Sequence, residues 1–246
     1  LTIDPREREK VFAYLQYIKV LYRSQQLCAH LPCDMAQSYL LDELDKLPKN
    51  EEISAIFASS NLRMRLDGQQ YRNALYEKLL NVIRDEFHNK PDGRVIVFVR
   101  TREFACRLSR AFDSDQVLSG LNVRTKMITG INVSCEEGGQ NANVQRDNLT
   151  DFANGKVKVL FATSVADEGI DIQKCTLVIK YNYTTNEIAH VQRRGRGRAK
   201  DSRCLLLTHD KKLKEREDQN ILRERLMNMA LEVIDRQSST WFKQEV

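Results

Sequence analysis

Along the chain the spacing of apolar positions changes near residue 93. Before it, Asp4 and Pro5 suit an N-cap and a first helical position, and Val11, Leu15, Ile18 and Tyr22 then recur at helical spacing. Pro32 ends or interrupts that run. A second helix is expected over 34–47, closed by Pro48, and helical pattern continues through 53–66 and 71–87, so the region reads as helices with short breaks. From Gly93 the pattern is different. Val95 to Val99 is a continuous β-branched and aromatic run, too short for a helix and apolar on both faces, as in a buried parallel strand. Helical pattern follows over 103–112, then a strand near 123–128, a helix near 143–152, strands at 157–161 and 176–181, a short helix at 187–192 and a strand at 204–208. A charged helix over about 210–235 follows, with Leu222, Leu226, Met229 and Val233 as an apolar stripe. Strands alternating with helices predict an open α/β sheet whose ligands sit at the carboxyl ends of the strands. The expected organisation is a helical region over 1–92, an α/β domain over 93–209 and a C-terminal helix over 210–246.

Composition sharpens this picture. With 41% apolar and 30% charged residues in 246, the chain can bury a core and form one or two domains, which excludes disorder and collagen. No run of about 18 apolar residues is present for a membrane span, and the charged N-terminal ten residues hold no signal-peptide block. A cytoplasmic or nuclear location without a membrane partner is expected. The chain starts with Leu rather than Met, as a piece of a longer protein would. Six cysteines without paired CxxC spacing read as reduced, mostly buried thiols, with Cys28 and Cys33 as core residues of the first helices rather than a redox pair. His30, His88, His190 and His209 are scattered and complete no set of four metal ligands. Thirteen basic minus 14 acidic residues leave −1 on 1–92, and 26 minus 20 leave +6 on the remainder, so the basic excess lies in the second part.

The most informative stretch is His190 to Lys200, with five basic residues, two glycines and Gln192. Guanidinium forks match phosphate oxygens, and glycine lets backbone approach a ligand closely. Two readings stand side by side. One is a basic loop that binds nucleic-acid backbone or acts as a localisation signal; the other is an arginine-finger segment that stabilises charge on a transferring γ-phosphoryl group. A second stretch, Ala162 to Ile172, follows an apolar strand with a turn of small residues and three acids. Asp167 and Glu168 lie six and seven residues beyond that strand, too far for the acidic pair that holds Mg²⁺ directly at a strand end. Ile170 and Ile172 flank Asp171, which suggests a semi-buried carboxylate. The run from Lys211 to Asp218 reads as a solvated helix face with paired charges, and Trp241 as packing for the terminal helix.

Together these segments carry a resemblance. Ala162 to Ile172 (ATSVADEGIDI) resembles motif V, and Gln192 to Ala199 (QRRGRGRA) motif VI, of the second RecA-like domain of superfamily 2 helicases. Val95 to Arg102 is similar to motif IV, and Ile128 to Gly130 to the strand-end segment that touches nucleic-acid backbone. The wording of the motifs is most similar to RIG-I-like receptors and Dicer-related helicases. The resemblance covers about 93–235. It implies an α/β, RecA-like parallel sheet flanked by helices, with 1–92 as an all-α helical insertion and 210–246 as a pincer-like C-terminal helix. It further implies that Arg196 and Arg198 face the triphosphate of ATP as fingers, that Gln192 and Arg194 help to hold it, and that Asp171, with Gly169 alongside, bonds the ribose. Thr101, Arg102, Gly130 and Thr163 would touch the phosphate backbone of one RNA strand. Many helicases space the two motif VI arginines three apart; here Arg196 and Arg198 are two apart, which leaves open which arginine makes each γ-phosphate contact, Arg196 being the first choice.

No G-x-x-x-x-G-K-S/T occurs anywhere in the chain, so no P-loop can cradle the β- and γ-phosphates. ATP and Mg²⁺ would therefore be held mainly by a first RecA-like domain of the same parent chain, and the piece alone is expected to hydrolyse ATP negligibly. Double-stranded RNA is the partner that the resemblance implies, with Dicer or signalling adaptors as further candidates and antiviral sensing or small-RNA processing as the setting. A non-catalytic RNA-binding or signalling scaffold, or a different RNA or DNA translocase of the superfamily, remain the alternatives.

Overall fold

The computed structural model describes residues 4–49, 51–59, 73–115, 123–129, 141–163, 175–184 and 202–236. The chain divides into two compact units, 1–82 and 83–246. Among the described residues the first unit is helical: α1 (Pro5–Cys28), α2 (Cys33–Lys46), α3 (Glu51–Ser59) and the first half of α4 (Ala74–Asn89). Asp4 caps α1 by accepting from the Arg6 amide, ahead of Pro5 in the first turn. Asn73 caps α4 through the Leu75 and Tyr76 amides, and its side-chain amide donates to the Cys28 carbonyl, fastening the end of α1 to the start of α4.

The face that α1 buries is not the one its apolar spacing suggests. Tyr17, Val20, Ser24 and Leu27 are buried, whereas Val11, Leu15, Ile18 and Tyr22 are exposed. Hydrogen bonding explains the choice: the Ser24 hydroxyl donates to the Ala36 carbonyl of α2 at 3.2 Å and the Tyr17 hydroxyl to the Pro48 carbonyl at 2.9 Å. A buried hydroxyl left without an acceptor is costly, so the face that carries Tyr17 and Ser24 turns towards α2 and Pro48. Cys28 also departs from its expected core place, being exposed, with Cys33 only half-buried. Both sit at the α1–α2 corner rather than on the packed faces.

The second unit is built on a five-stranded sheet of β1 (Val95–Phe98), β2 (Thr125–Ile128), β3 (Val159–Ala162), β4 (Leu177–Tyr181) and β5 (Arg203–Leu207), in the order β2-β3-β1-β4-β5 with every pairing parallel. The three central strands are buried along their whole length, which is why they read as apolar runs rather than alternating ones, broken only by Lys180 in β4. One face packs Ile96, Phe98, Leu160 and Val178 with Phe152 of α6 (Ala142–Ala153). Towards the other face comes α5 (Arg102–Ser114), where Phe112 meets Phe161 edge-on and Phe104 stacks on Tyr181, at centroid distances of 5.0 and 5.7 Å. At the edge, the Asn148 side-chain amide of α6 donates to the Met127 carbonyl of β2.

Two glycines are dictated by space and conformation. A side chain at Gly93 would meet the Thr176 hydroxyl at 2.7 Å, and Gly155 turns the chain from α6 towards β3 at φ +77°. Below the sheet, Glu86 of α4 is fully buried and ion-pairs with Arg203 at the start of β5. Nearby, burial pushes the Cys175 thiol up to about 12, so it packs as an unreactive apolar group.

The last described helix, α7 (Lys211–Asp235), lies where a charged helix was expected and is capped by Asp210, which accepts from the Lys212 amide. Its apolar stripe points the other way from expectation: Leu222, Leu226, Met229 and Val233 are exposed, and the buried residues are Glu217, Asn220 and Glu224. Glu217 thereby leaves the set of solvated charges expected over 211–218. No helix among the described residues is long and apolar enough to cross a membrane. The short helix expected at 187–192, the continuation of α3 towards residue 66, and Trp241 lie outside the described residues.

Candidate functional site

Parallel strands bring all their carboxyl ends to one rim. Val99 donates its amide to the Ala162 carbonyl at 2.9 Å, and Thr163 donates to the Ile128 carbonyl at 3.2 Å, so Val99, Thr163 and Thr129 stand level on adjacent strands, about 4.8 Å apart. Two residues past Val99 comes Thr101, exposed, followed by Arg102 at the first position of α5. Three of the residues expected at an RNA backbone, Thr101, Arg102 and Thr163, thus share this rim. Thr129, Thr163 and Thr184 are the last described residues before 130–140, 164–174 and 185–201, and each ends a run that leaves the same sheet edge. Gly130, Gly169, Asp171, Gln192, Arg194, Arg196 and Arg198 lie outside the described residues.

Thr101 does two things at once. Its hydroxyl oxygen accepts from the Phe104 amide at 3.3 Å, capping α5. A hydroxyl has a proton to give as well as lone pairs to offer, so capping leaves Thr101 able to donate outward. The amino end of α5 adds its partial positive charge, and the Arg100 and Arg102 side chains flank it. Glu103, in the same turn, is occupied by Arg107 on its own helix. An anion is what such a corner accepts. Thr163, by contrast, is buried at the end of β3, where the chain must pass close to whatever lies on the rim.

Sequence reading missed one group on this rim. Lys180 of β4 is fully buried and ion-paired with Glu217 of α7; the Thr184 hydroxyl donates to the second Glu217 oxygen at 2.8 Å and accepts from the Asn220 side-chain amide at 3.4 Å. One signal was available: a lysine inside Leu177-Val178-Ile179-Lys180-Tyr181, an otherwise apolar strand, demands a buried counter-charge. Next to it Asn182 adopts a left-handed conformation (φ +46°), its amide bonded to the Leu207 carbonyl and its side-chain oxygen accepting from Thr208, both at 2.7 Å. Among the described residues no three His, Cys, Asp or Glu side chains gather as metal ligands.

An all-parallel sheet with flanking helices, apolar central strands and a polar rim of strand-end threonines is the RecA-like architecture of a helicase domain. The family model described as the helicase conserved C-terminal domain matches residues 74–200, and the chain belongs to that family, as a superfamily 2 member of the RIG-I- and Dicer-like type. It is 32% identical over 235 residues to the antiviral innate immune response receptor RIG-I of Sus scrofa, covering 94% of this chain and 23% of that protein. To the ATP-dependent RNA helicase DHX58 of Mus musculus it is 30% identical over 187 residues, 76% of this chain and 28% of that one. Fungal Dicer-like proteins are further relatives. The chain thus spans under a third of the receptor and helicase it resembles. Its fold is similar to that of the Pyrococcus furiosus Hef helicase domain, with a TM-score of 0.53 and 22% identity over 81% of this chain and 40% of that one.

Proposed function

We propose that this chain is the second RecA-like half of a double-stranded-RNA-dependent ATPase, supplying arginine fingers to the nucleotide and threonine contacts to the RNA backbone. The observation that carries the reading is the common rim: Thr101 with its spare hydroxyl proton, Arg102 and Thr163 stand there with Thr184, where the chain enters the arginine segment. The names of its relatives, an antiviral receptor and an ATP-dependent RNA helicase, agree with it. ATP would lie in a cleft shared with a first RecA-like domain. Since this sequence has no P-loop, Mg²⁺ would fall to that domain. Arg196 and Arg198 would neutralise charge on the transferring phosphoryl group, Gln192 and Arg194 would help to hold the triphosphate, and Gly169 and Asp171 would hold the ribose. RNA is read by phosphate and shape, so binding weakens steeply with salt.

The deciding measurement is steady-state ATP hydrolysis by the parent protein with blunt double-stranded RNA, single-stranded RNA or DNA, alongside this chain alone. Strong stimulation by double-stranded RNA and negligible turnover by the chain alone are expected. A helicase-like rate from the isolated chain, or equal stimulation by DNA, would overturn the reading.

Thr101 offers a sharper check on the RNA face. Asp is as good an N-cap as Thr, so Thr101→Asp should keep stability within about 0.5 kcal/mol. It replaces a donor by a negative charge facing phosphate, so RNA affinity at fixed salt should fall severalfold. Fluorescence anisotropy and urea denaturation of the same sample separate the two effects.

A further inference from the structure

The two thiols at the α1–α2 corner have no part in the nucleotide or RNA contacts. Cys28 ends α1 and Cys33 begins α2, with 29–32 between them. That connection is not free to splay. The Leu31 amide donates back to the Leu27 carbonyl at 2.8 Å, the Leu31 side chain is fully buried, and the Met35 amide donates to the Pro32 carbonyl at 3.1 Å. The Cys28 carbonyl is tied in turn to the Asn73 side-chain amide at 3.0 Å. The two sulfurs are thereby held as neighbours at the surface. Cys28 is exposed as a residue and Cys33 half-buried; partial desolvation, and the Cys33 thiol close beside it, push the Cys28 thiol above its usual range. A raised thiol is a poor first nucleophile, so what the pair offers is proximity rather than an activated thiolate. Once one sulfur is oxidised, the other is already in place to attack it, and that intramolecular step outruns further oxidation. Cys175 and Cys204 are also near each other, but Cys175 is buried and its thiol is pushed up to about 12, which closes that pair to the same chemistry.

We propose that Cys28 and Cys33 form a reversible dithiol–disulfide site, closed by peroxides and reopened by reducing dithiols. Hydrogen peroxide takes two electrons from one sulfur, converting its thiol to a sulfenic acid and releasing one water. The second sulfur attacks the first, its proton leaves with the sulfenic hydroxyl as another water, and the S–S bond forms. A reducing dithiol reverses this by exchange, returning both protons to the cysteines and becoming a disulfide itself. In a reducing compartment the bond is transient, as suits a group that registers oxidant rather than one that holds the fold together. Closure joins the end of α1 to the start of α2 at the same corner that Asn73 fastens to α4. The site is independent of the nucleotide reading above.

The test treats the folded full-length parent with hydrogen peroxide at a dose that leaves Cys175 reduced, then caps the remaining thiols with iodoacetamide under denaturing conditions. Trypsin cuts after Arg23 and Lys46, so one peptide, 24–46, holds both cysteines and can be read by mass spectrometry. It should be two hydrogens lighter than the free dithiol and carry no alkyl group. Dithiothreitol before capping should return it doubly alkylated. In Cys33→Ser the resolving partner is gone, so Cys28 should accumulate as a sulfenic acid that dimedone traps, whereas the wild type gives the link instead. Two alkylated cysteines after the peroxide dose would overturn the proposal. So would a wild-type Cys28 that stops at the sulfenic or sulfinic acid, or one linked to a cysteine other than Cys33. Should Cys33→Ser fail to fold, the state of peptide 24–46 in the wild type decides alone.

Discussion

Replacing Arg196 by alanine in the parent protein should lower RNA-stimulated ATP turnover by about 10³- to 10⁵-fold, the range over which a guanidinium finger acts on phosphoryl transfer. In the proposed mechanism the charge that develops on the γ-phosphoryl oxygens would be matched by a delocalised cation, and in a cleft closed to water such a contact would count for far more than in bulk solvent. Because that contact strengthens only as the reaction proceeds, the loss should appear in kcat, with KM for ATP little changed and RNA affinity retained. Lysine at the same position keeps the charge and loses the fork, so Arg196→Lys should rescue only a minor part. The two-residue spacing of Arg196 and Arg198 makes the companion variant informative: Arg198→Ala with a comparable loss identifies two fingers, and with a slight one a single finger at Arg196. Full activity in Arg196→Ala would favour the scaffold alternative, in which RNA is bound and turnover does not matter.

Lys180→Ala should destabilise the protein by about 3–5 kcal/mol, because it leaves the Glu217 carboxylate buried without its counter-charge. Both side chains are shielded, Lys180 at 1% and Glu217 at 9% relative exposure, so solvent cannot take the place of the missing partner. Removing both charges together reverses the argument. Lys180→Met with Glu217→Leu fills the same space with apolar groups and should unfold in urea near the wild-type midpoint. A double variant as unstable as Lys180→Ala would show that packing at this place, and not the lost counter-charge, sets the cost.

Much of the second unit was legible in the residues. The run Val95 to Val99 announced a strand covered on both faces, and Asp4 with Pro5 announced the start of α1 that the structure bears out, while the caps at Thr101 and Asp210 were seen only in the structure. Strand ends moved by a residue or two, as at β3, which begins at Val159 rather than 157. Less legible was the direction each helix faces. Val11, Leu15, Ile18 and Tyr22 foretold α1 and then turned outward, and Leu222, Leu226, Met229 and Val233 did the same on α7. Periodicity reports that a stripe exists. Which stripe is covered depends on where its polar members find partners, and in α1 the Ser24 and Tyr17 hydroxyls find them at the carbonyls of Ala36 and Pro48. Of the candidate site, the residues next to the strands, Thr101, Arg102 and Thr163, stand together on the rim, whereas Gly169, Asp171, Gln192, Arg194, Arg196 and Arg198 lie outside the described residues.

The amino-acid sequence alone determined the kinds of element, their order and the polar strand ends, because helix period, strand alternation and capping act among residues a few positions apart. Tertiary structure alone decided the strand order β2-β3-β1-β4-β5, the inward faces of α1 and α7, and the bonding of Lys180 and Thr184 to Glu217. The physical reason is distance along the chain: Glu217 lies 37 residues from Lys180, and only the packed sheet brings the two charges out of water and into contact.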